Sequence, residues 1–188
     1  KENFSSNDLA EFFSHFNCQQ LVIKPRISAN ADNTFWLKKE TAEQFTTQLE
    51  AVFSQSEFMV QPFMSSVINE GEFSLFYFDG QYSHAILKTP KADDFRVQEE
   101  HGGRLKAITP EKSLFMQADS TLAAITSLTG EMPLYARVDF VRFSDETSNE
   151  EFALMEAELI EPSLYFNMDE NSAQRFASAF DKRMGELK

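Results

Sequence analysis

YARVDFVRF (residues 135–143) and FALMEAEL (residues 152–159) predict the two strands of one β-hairpin. A polar, turn-rich stretch separates the two segments, which is typical of antiparallel strands joined by a loop. Residues two apart in a strand share a face. Glu156 and Glu158 therefore point the same way, and Asp139, about as far before the loop as Glu156 is after it, should lie nearly opposite them. The hairpin thus predicts three carboxylates on one face of a sheet.

Such a group of carboxylates favours a bound cation. Cross-strand neighbours have Cβ atoms about 5 Å apart, and like charges at that distance repel each other. Hard oxygen ligands at this spacing suit Mg²⁺ or Mn²⁺, which is typically shared with phosphate. The alternative is that Asp139, Glu156 and Glu158 are solvated on the wet face of the sheet. In a chain with a formal net charge of −13, these residues alone leave both interpretations open.

Length and composition limit the classes of protein. A chain of 188 residues is long enough for one ordinary domain or two small lobes. Its acidity argues against nucleic acid or an anionic membrane as the main partner. The single cysteine, Cys18, excludes an internal disulfide and is typical of a reducing compartment. No apolar run approaches the roughly 20 residues that span a bilayer. We therefore expect a cytoplasmic protein with neither a nucleic-acid nor a membrane partner.

The order of the predicted elements indicates an α+β fold with largely antiparallel sheets, because strands and helices do not alternate strictly. The elements are strands at 21–25, 35–37 and 58–61, a helix at 41–54, a hairpin at 73–87, a polar irregular stretch at 91–110, a helix at 113–128, the carboxylate hairpin, and a helix at 172–184. Asp79-Gly80 is a favoured hairpin turn. The last helix carries an apolar stripe that we expect in the core, namely Phe176, Phe180 and Met184.

Two groups of cations are candidates for binding anions. Lys24 ends a strand beside a loop of small residues, 28–31, where backbone N–H groups can close over a phosphate. On its own, however, an ordinary surface lysine is the simpler interpretation. The second candidate is the segment around Gly102-Gly103, which lies among Lys88, Arg96 and Arg104 in the sequence. The two glycines permit close approach of the backbone to a ligand. Arg96 offers a bidentate fork to a carboxylate or phosphate. The alternative is a polar loop with ordinary surface charges.

Taken together, the motifs resemble the ATP-grasp superfamily, and within it most nearly the group of glutathione synthetase and the ribosomal-protein glutamate ligase. The resemblance runs from about Leu21 to Phe180. The matching segments are Val22-Ile23-Lys24-Pro25, the interlobe hinge Val60-Gln61-Pro62-Phe63, Gly71-Glu72-Phe73-Ser74, Phe95-Arg96 followed by Gly102-Gly103, and Asp139 followed by Met155-Glu156-Ala157-Glu158. Glu158 stands where the family usually has Asn, and the loop after Lys24 is poor in glycine.

The resemblance implies the fold and the reaction. We expect two α+β lobes, residues 1–60 and 61–188, that enclose a nucleotide cleft. The implied activity is ATP-dependent ligation of a small-molecule carboxylate to an amine through an acyl phosphate, with ATP and Mg²⁺ or Mn²⁺ as cofactors. The implied roles are nucleotide binding for Lys24, Gln61, Phe63, Glu70, Gly102 and Gly103, catalysis for Arg96 and Lys88, and metal binding for Asp139, Glu156 and Glu158.

Other interpretations concern completeness and turnover. Family members normally begin with a Rossmann-like domain and carry a first nucleotide-binding lysine, and neither is visible before Leu21. We therefore expect a fragment of a longer enzyme that is inactive alone, and a homo-oligomer is compatible with apolar surface exposed by truncation. The alternative function is a nucleotide-binding regulatory module without turnover, which Glu158 and the glycine-poor loop favour. A purely structural acidic domain would leave the whole set of motifs unexplained.

Overall fold

Two antiparallel sheets, one in each half of the chain, organise the computed structural model, which describes residues 3–28, 31–92, 94–97, 102–144 and 150–186. The chain divides into two units, Lys1–Met64 and Ser65–Lys188. The prediction of an α+β fold with largely antiparallel sheets is confirmed. Among the described residues, no helix has both the length and the apolar character needed to cross a bilayer.

The first unit is a three-stranded sheet covered on one face. Its elements are helix α1 (Asp8–His15), strands β1 (Gln20–Pro25) and β2 (Phe35–Lys38), a 3-10 helix (Ala42–Phe45) that leads into α2 (Thr46–Phe53), and strand β3 (Phe58–Pro62). The strands run antiparallel in the order β2-β1-β3. Leu21 and Ile23 of β1 are fully buried with Leu49 and Phe53 of α2. Because side chains alternate along a strand, Lys24 lies on the other face of this sheet.

The second unit is a five-stranded sheet with order β6-β5-β4-β7-β8, in which every neighbouring pair is antiparallel. Its elements are α3 (Ser66–Asn69), β4 (Glu72–Phe78), β5 (Gln81–Thr89), β6 (Arg104–Ile108), α4 (Lys112–Thr129), β7 (Tyr135–Ser144), β8 (Glu150–Glu158), a 3-10 turn (Phe166–Met168) and α5 (Ser172–Glu186). Asp79 and Gly80 make the predicted turn between β4 and β5 with φ angles of 48° and 74°. These left-handed angles match the twist of a two-residue hairpin.

The two faces of this sheet differ in chemistry. One face packs against α4 through alternate residues of β4 and through the apolar stripe of the helix, which are Phe73, Leu75, Tyr77, Leu114, Ala118 and Leu122. The opposite face therefore receives the other residues of β4, among them Glu72 and Ser74. All residues of β4 are buried, so polar groups on this second face are buried with them. The candidate functional site lies there.

The structure differs from the predicted elements at three points. Strand β6 lies within the stretch 91–110, which we expected to be irregular. It is an exposed edge strand, and its polar residues hid the strand pattern. Helix α1 was not predicted. Phe180 and Met184 of α5 are 46% and 44% exposed rather than in the core. The less exposed stripe of α5 runs through Ser172, Phe176, Ala179 and Arg183, so Phe176 faces inward as predicted, in ring contact with Phe78. Arg183 Nε lies 2.6 Å from Asp79 Oδ1.

Candidate functional site

The carboxylate hairpin forms in the register that brings its three acidic residues together. Asp139 of β7 pairs directly with Glu156 of β8, and Arg137 pairs with Glu158. One carboxylate oxygen from each of Asp139, Glu156 and Glu158 lies within 4.8 Å of the other two. Asp139 is fully buried, Glu158 is half-buried and Glu156 is exposed. The group therefore reaches from the interior of the sheet to solvent.

Two buried cations contact this group from within the protein. Lys88 Nζ lies 3.0 Å from Asp139 Oδ2 and 2.5 Å from Glu72 Oε1, and the lysine side chain is only 3% exposed. The Nε of Arg137 lies 3.2 Å and 3.1 Å from Oδ1 and Oδ2 of Asp139, and its Nη2 also donates to Glu158. We call Glu72, Lys88, Arg137, Asp139, Glu156 and Glu158 the carboxylate cluster.

Lys88 and Arg137 change the inference that the carboxylates need a metal ion. Mutual repulsion of the carboxylates does not by itself require a metal, because Lys88 and Arg137 already neutralise part of the charge. Sequence reasoning missed Glu72 and Arg137 as members of the cluster. The available signal was spacing, since Arg137 stands two residues before Asp139 in a strand and so shares its face. With all groups ionised, four carboxylates against two cations leave two negative charges.

Burial and ion pairing set the protonation of the cluster. Burial raises the pKa of Glu72 to about 7, although Lys88 opposes this shift. Burial also acts to raise the pKa of Asp139, but the charges of Lys88 and Arg137 outweigh it and hold that pKa below its ordinary value. Burial raises the pKa of Glu158. Burial would lower the pKa of Lys88, yet Glu72 and Asp139 raise it. The carboxylate of Asp139 is therefore ionised at neutral pH.

The oxygen atoms of the cluster fit a small divalent cation. Mg²⁺ binds carboxylate oxygens at about 2.1 Å, so two ligands on opposite sides of the ion are about 4.2 Å apart. Ligands on adjacent sides of the ion are about 3.0 Å apart, so the oxygens of Asp139, Glu156 and Glu158, which lie within 4.8 Å of one another, would have to move closer together to share one ion. A divalent cation would also neutralise the two remaining negative charges. The donor set thus matches Mg²⁺ or Mn²⁺ in both atom type and charge.

The predicted group of three cations beside the paired glycines does not form. Lys88 pairs with Leu105 of β6, whereas Arg104 pairs with Thr89, so Lys88 and Arg104 lie on opposite faces of the sheet. Arg96 forms a bidentate ion pair with Asp94, with Nε–Oδ1 and Nη2–Oδ2 distances of 3.0 Å and 2.8 Å. This pair lowers the pKa of Asp94.

The loop around the paired glycines is only partly described. Gly102 is exposed, with a left-handed φ of 84°, and Gly103 is half-buried. His101, which precedes the glycine pair, lies outside the described residues. The left-handed backbone explains why glycine occurs at position 102, since other residues rarely adopt this angle.

On the first unit, one face of the sheet carries a lysine, an amide and an aromatic pair. Val22 pairs with Trp36 on one side and with Gln61 on the other, so these three residues share a face. Lys24, two residues beyond Val22, lies half-buried on the same face. The ring of Phe63 stacks on Trp36 with a centroid distance of 4.4 Å and an interplanar angle of 20°. Trp36 was not among the residues that the sequence predicted to bind nucleotide. Its position in the strand that follows Lys24 was the available signal.

The structure gives Glu70 a partner within the protein. Arg142 of β7 binds the Glu70 carboxylate with two N–O distances of 2.9 Å and 3.2 Å, and its Nη1 reaches Glu111 at 3.1 Å. The Arg142 guanidinium also lies over the ring of Phe152, 4.7 Å from its centroid. Glu70 therefore ties the end of α3 to β7.

Comparison with known proteins identifies similar ligases. No protein-family model matches the chain. The cycloserine biosynthesis protein DcsG of Streptomyces lavendulae is 29% identical over 178 residues, which are 88% of this chain and 56% of that protein. This chain thus spans just over half the length of the curated relative it matches.

Solved structures agree with the sequence comparison. The crystal structure of D-cycloserine synthetase DcsG superposes with a TM-score of 0.81 and 26% identity, covering 95% of this chain and 60% of that one. The D-alanine–D-alanine ligase of Bacillus anthracis gives a TM-score of 0.60 with 17% identity, over 96% and 56% of the two chains. The ATP-grasp ligase PsnB, complexed with a precursor variant, Mg and ADP, gives 0.58 with 13% identity, over 94% and 50%. This chain is a homologue of DcsG with the fold of the ATP-grasp ligases, so the fold that the resemblance implied is confirmed.

Proposed function

We propose that this chain is the ATP-binding part of a carboxylate–amine ligase that works through an acyl phosphate. The observation that carries the proposal is the set of Asp139, Glu156 and Glu158 oxygens within 4.8 Å of one another, in a chain that superposes on D-cycloserine synthetase. The structure of PsnB, a ligase with a similar fold, has been solved in complex with Mg and ADP. The two lobes of this proposal, predicted as residues 1–60 and 61–188, correspond to the units Lys1–Met64 and Ser65–Lys188.

Asp139, Glu156 and Glu158 would hold Mg²⁺ or Mn²⁺. When bound, the ion neutralises charge on the phosphates as the γ-phosphoryl group moves to the substrate carboxylate. Lys88 acts here by holding Asp139 in its ionised form from the buried side, 3.0 Å from Oδ2. Glu156 lies at the solvent side and would be the ligand of the three that is accessible from solvent.

The nucleotide contacts are proposed on both units. On the first, Lys24 binds phosphate oxygens, while Gln61 and the Trp36–Phe63 stack offer an amide and an aromatic surface to the base. The backbone at Gly102 and Gly103 and the carboxylate of Glu70 are the proposed contacts on the second unit. The ion pair with Arg142 orients Glu70 for this role.

Arg96 is the group we assign to the acyl phosphate. A guanidinium offers two parallel N–H donors to a phosphate or carboxylate. In the structure these donors bind the carboxylate of Asp94, so the acyl phosphate would replace Asp94 as the partner of Arg96. Most of the rate enhancement then comes from positioning and charge stabilisation rather than from covalent catalysis by the protein.

The substrates are proposed as a small-molecule carboxylate and a small-molecule amine. The names of the similar proteins, D-cycloserine synthetase and D-alanine–D-alanine ligase, make D-alanine the first compound to test in either role. A cytoplasmic location is part of the same proposal and rests on the single cysteine, Cys18.

A regulatory module that binds nucleotide without turnover is the second candidate. It is favoured by the ion pairs that occupy two proposed site residues, Arg137 with Glu158 and Asp94 with Arg96. Trapping with hydroxylamine separates the two functions, because hydroxylamine converts an acyl phosphate into a stable hydroxamate. We expect the full-length protein with ATP, Mg²⁺ and a panel of amino acids to form a hydroxamate with at least one acid. Saturable binding of ATP without hydroxamate from any acid would favour the regulatory module.

A further inference from the structure

His84 and Glu158 lie at the two ends of one cross-strand row, on the face of the large sheet that carries the carboxylate cluster. His84 of β5 pairs with Phe76 of β4, which in turn pairs with Arg137 of β7. Arg137 pairs with Glu158 of the edge strand β8. The imidazole of His84 stacks on the ring of Phe76, with a centroid distance of 4.3 Å and an interplanar angle of 8°.

The chain crosses this face of the sheet directly after Glu158. Three strand spacings, about 14 Å, separate β8 from β5. The carbonyl oxygen of Leu164 nevertheless lies 3.0 Å from Nε2 of His84 on β5. Residues 159–164 reach at most roughly 20 Å when fully extended, so they have limited slack between the two ends of the row. We call residues 159–165 the crossing segment.

A directed series of hydrogen bonds fixes the imidazole of His84. A carbonyl oxygen only accepts, so Nε2 carries the proton that is donated to Leu164. Burial lowers the pKa of His84, which favours the neutral ring and leaves Nδ1 to accept from the hydroxyl of Ser83 at 2.9 Å. Ser83 Oγ accepts in turn from Nε of Arg175 at 3.0 Å, and Arg175 forms an ion pair with Asp169. His84 and Ser83 are 5% and 8% exposed, so water has little access to these bonds.

We propose that His84 is a positioning residue for ligation, and that its bond to the Leu164 carbonyl holds the crossing segment beside the carboxylate cluster. The crossing segment begins next to Glu158, and the adjacent cross-strand row contains Asp139 and Glu156. The substrate acid must come close to these proposed metal ligands to receive the phosphoryl group. A crossing segment that is held in place preserves the geometry of this transfer, and a loose one loses it. This inference rests on the proposed function.

A purely structural role for His84 leads to a different expectation. The stacking of His84 on Phe76 contributes to stability however the crossing segment is held. If His84 did no more than this, every folded variant would keep the turnover of wild type below its unfolding temperature. If His84 is a positioning residue, turnover depends on whether the side chain at position 84 can still donate to Leu164.

The experiment compares His84→Gln with His84→Asn in the full-length protein. The amide of Gln reaches about as far as Nε2 and can donate to Leu164, whereas the amide of Asn reaches only about as far as Nδ1 and can bond only to Ser83. Both substitutions remove the ring that stacks on Phe76, so each controls for the stability of the other. Thermal unfolding of both variants checks that their stabilities match.

Hydroxamate formation with ATP, Mg²⁺ and hydroxylamine provides the kinetic readout, using the amino acid that wild type converts best. We expect kcat/KM for this acid to fall about tenfold in His84→Asn, which is the usual contribution of one hydrogen bond, and to stay within about twofold of wild type in His84→Gln. Equal losses in the two variants, or no loss in either, would overturn the proposal.

Hydrogen–deuterium exchange tests the anchor without turnover. Amides of the crossing segment should exchange about tenfold faster in His84→Asn than in wild type or His84→Gln, because local opening no longer has to break the bond to Leu164. The same exchange rates in all three proteins would overturn the anchoring role.

A measurement on the wild type covers the case in which neither variant folds. Imidazole ¹⁵N spectra near pH 7 should show a neutral His84 with its proton on Nε2. A proton on Nδ1 alone would overturn the proposal, because Nε2 could not then donate to Leu164. Wild type that forms no hydroxamate with any acid would overturn the proposed function itself. Active wild type with equally active variants would overturn only the role of His84.

Discussion

Lys88 and Asp139 form an ion pair across an intervening strand. Lys88 lies on β5 and Asp139 on β7, which are the two neighbours of β4, yet Nζ and Oδ2 are 3.0 Å apart. Glu72 on β4 completes the arrangement at 2.5 Å from the same amine. The lysine side chain is 3% exposed and that of Asp139 is fully buried. Because this pair has almost no access to water, loss of one partner leaves an uncompensated buried charge.

The first prediction concerns stability. Lys88→Met should lower the free energy of unfolding by about 3–5 kcal/mol, since breaking a buried ion pair has this cost. Urea denaturation followed by circular dichroism measures it. Lys182→Met is the matched control: Lys182 pairs with Asp79 but is 62% exposed, so its loss should change stability far less than the loss of Lys88. Equal effects of the two substitutions would show that the buried pair contributes no more than a surface pair.

The second prediction concerns the exposed carboxylate. Glu156→Ala should abolish ligation while the melting temperature stays near that of wild type, because an exposed side chain contributes little to packing. Glu170→Ala removes an exposed carboxylate away from the hairpin strands and controls for the change in net charge. Turnover by the full-length variants and thermal unfolding provide the two readouts. Unchanged turnover in Glu156→Ala would reject its role as a metal ligand.

The third prediction concerns the nucleotide. Lys24→Ala should weaken binding of an ATP analogue by about 1.5–3 kcal/mol, the usual contribution of a hydrogen bond to a charged group. Calorimetry of the full-length protein with Mg²⁺ and the analogue measures the affinity. Lys39→Ala, which removes an exposed lysine just after β2, is the control and should leave the affinity unchanged. A Lys24 variant with wild-type affinity would exclude phosphate binding by this residue.

The fourth prediction concerns acid stability at the β4–β5 turn. The hydrogen bond from Lys182, together with Arg183, lowers the pKa of Asp79 below its ordinary value of 3.8. A lowered pKa in the folded state contributes stability above the ordinary pKa, and this contribution is lost as pH falls through the folded-state value. Asp79→Asn should therefore be less stable than wild type near neutral pH, and the difference should shrink below a pH of about 4. Chemical denaturation at several pH values tests this, and a difference that stays constant with pH would contradict it.

The hairpins of the large sheet could be predicted from sequence because each is local. Asp79-Gly80 specifies the turn between β4 and β5, and the alternation along β7 and β8 specifies which residues share a face. Asp139 and Glu156 could be placed opposite each other because the loop between them fixes the register within a small range. These features depend on neighbouring strands in the chain and on the two-residue period of a strand.

Lys88 and Glu72 could not be predicted as partners of Asp139, because their contacts depend on the order of strands that are distant in sequence. Lys88 reaches Asp139 only because β4 pairs with β7. Nothing between residues 78 and 135 specifies that pairing locally. Strand β6 could not be predicted for a similar reason, since it is recognised as a strand only by its pairing with the edge of β5. Sequence patterns therefore predicted the proposed metal ligands, and the spacing of β7 could have indicated Arg137, but the contact of Lys88 with Asp139 needed the structure.

Phosphate release from ATP by the full-length protein tests the central claim most directly, measured with Mg²⁺ and with the carboxylate, the amine, both or neither present. The proposal predicts release that requires both compounds and that is lost in Glu156→Ala. Phosphate release that is independent of the carboxylate and the amine, or bound Mg²⁺ and nucleotide with no release under any combination, would contradict a carboxylate–amine ligase.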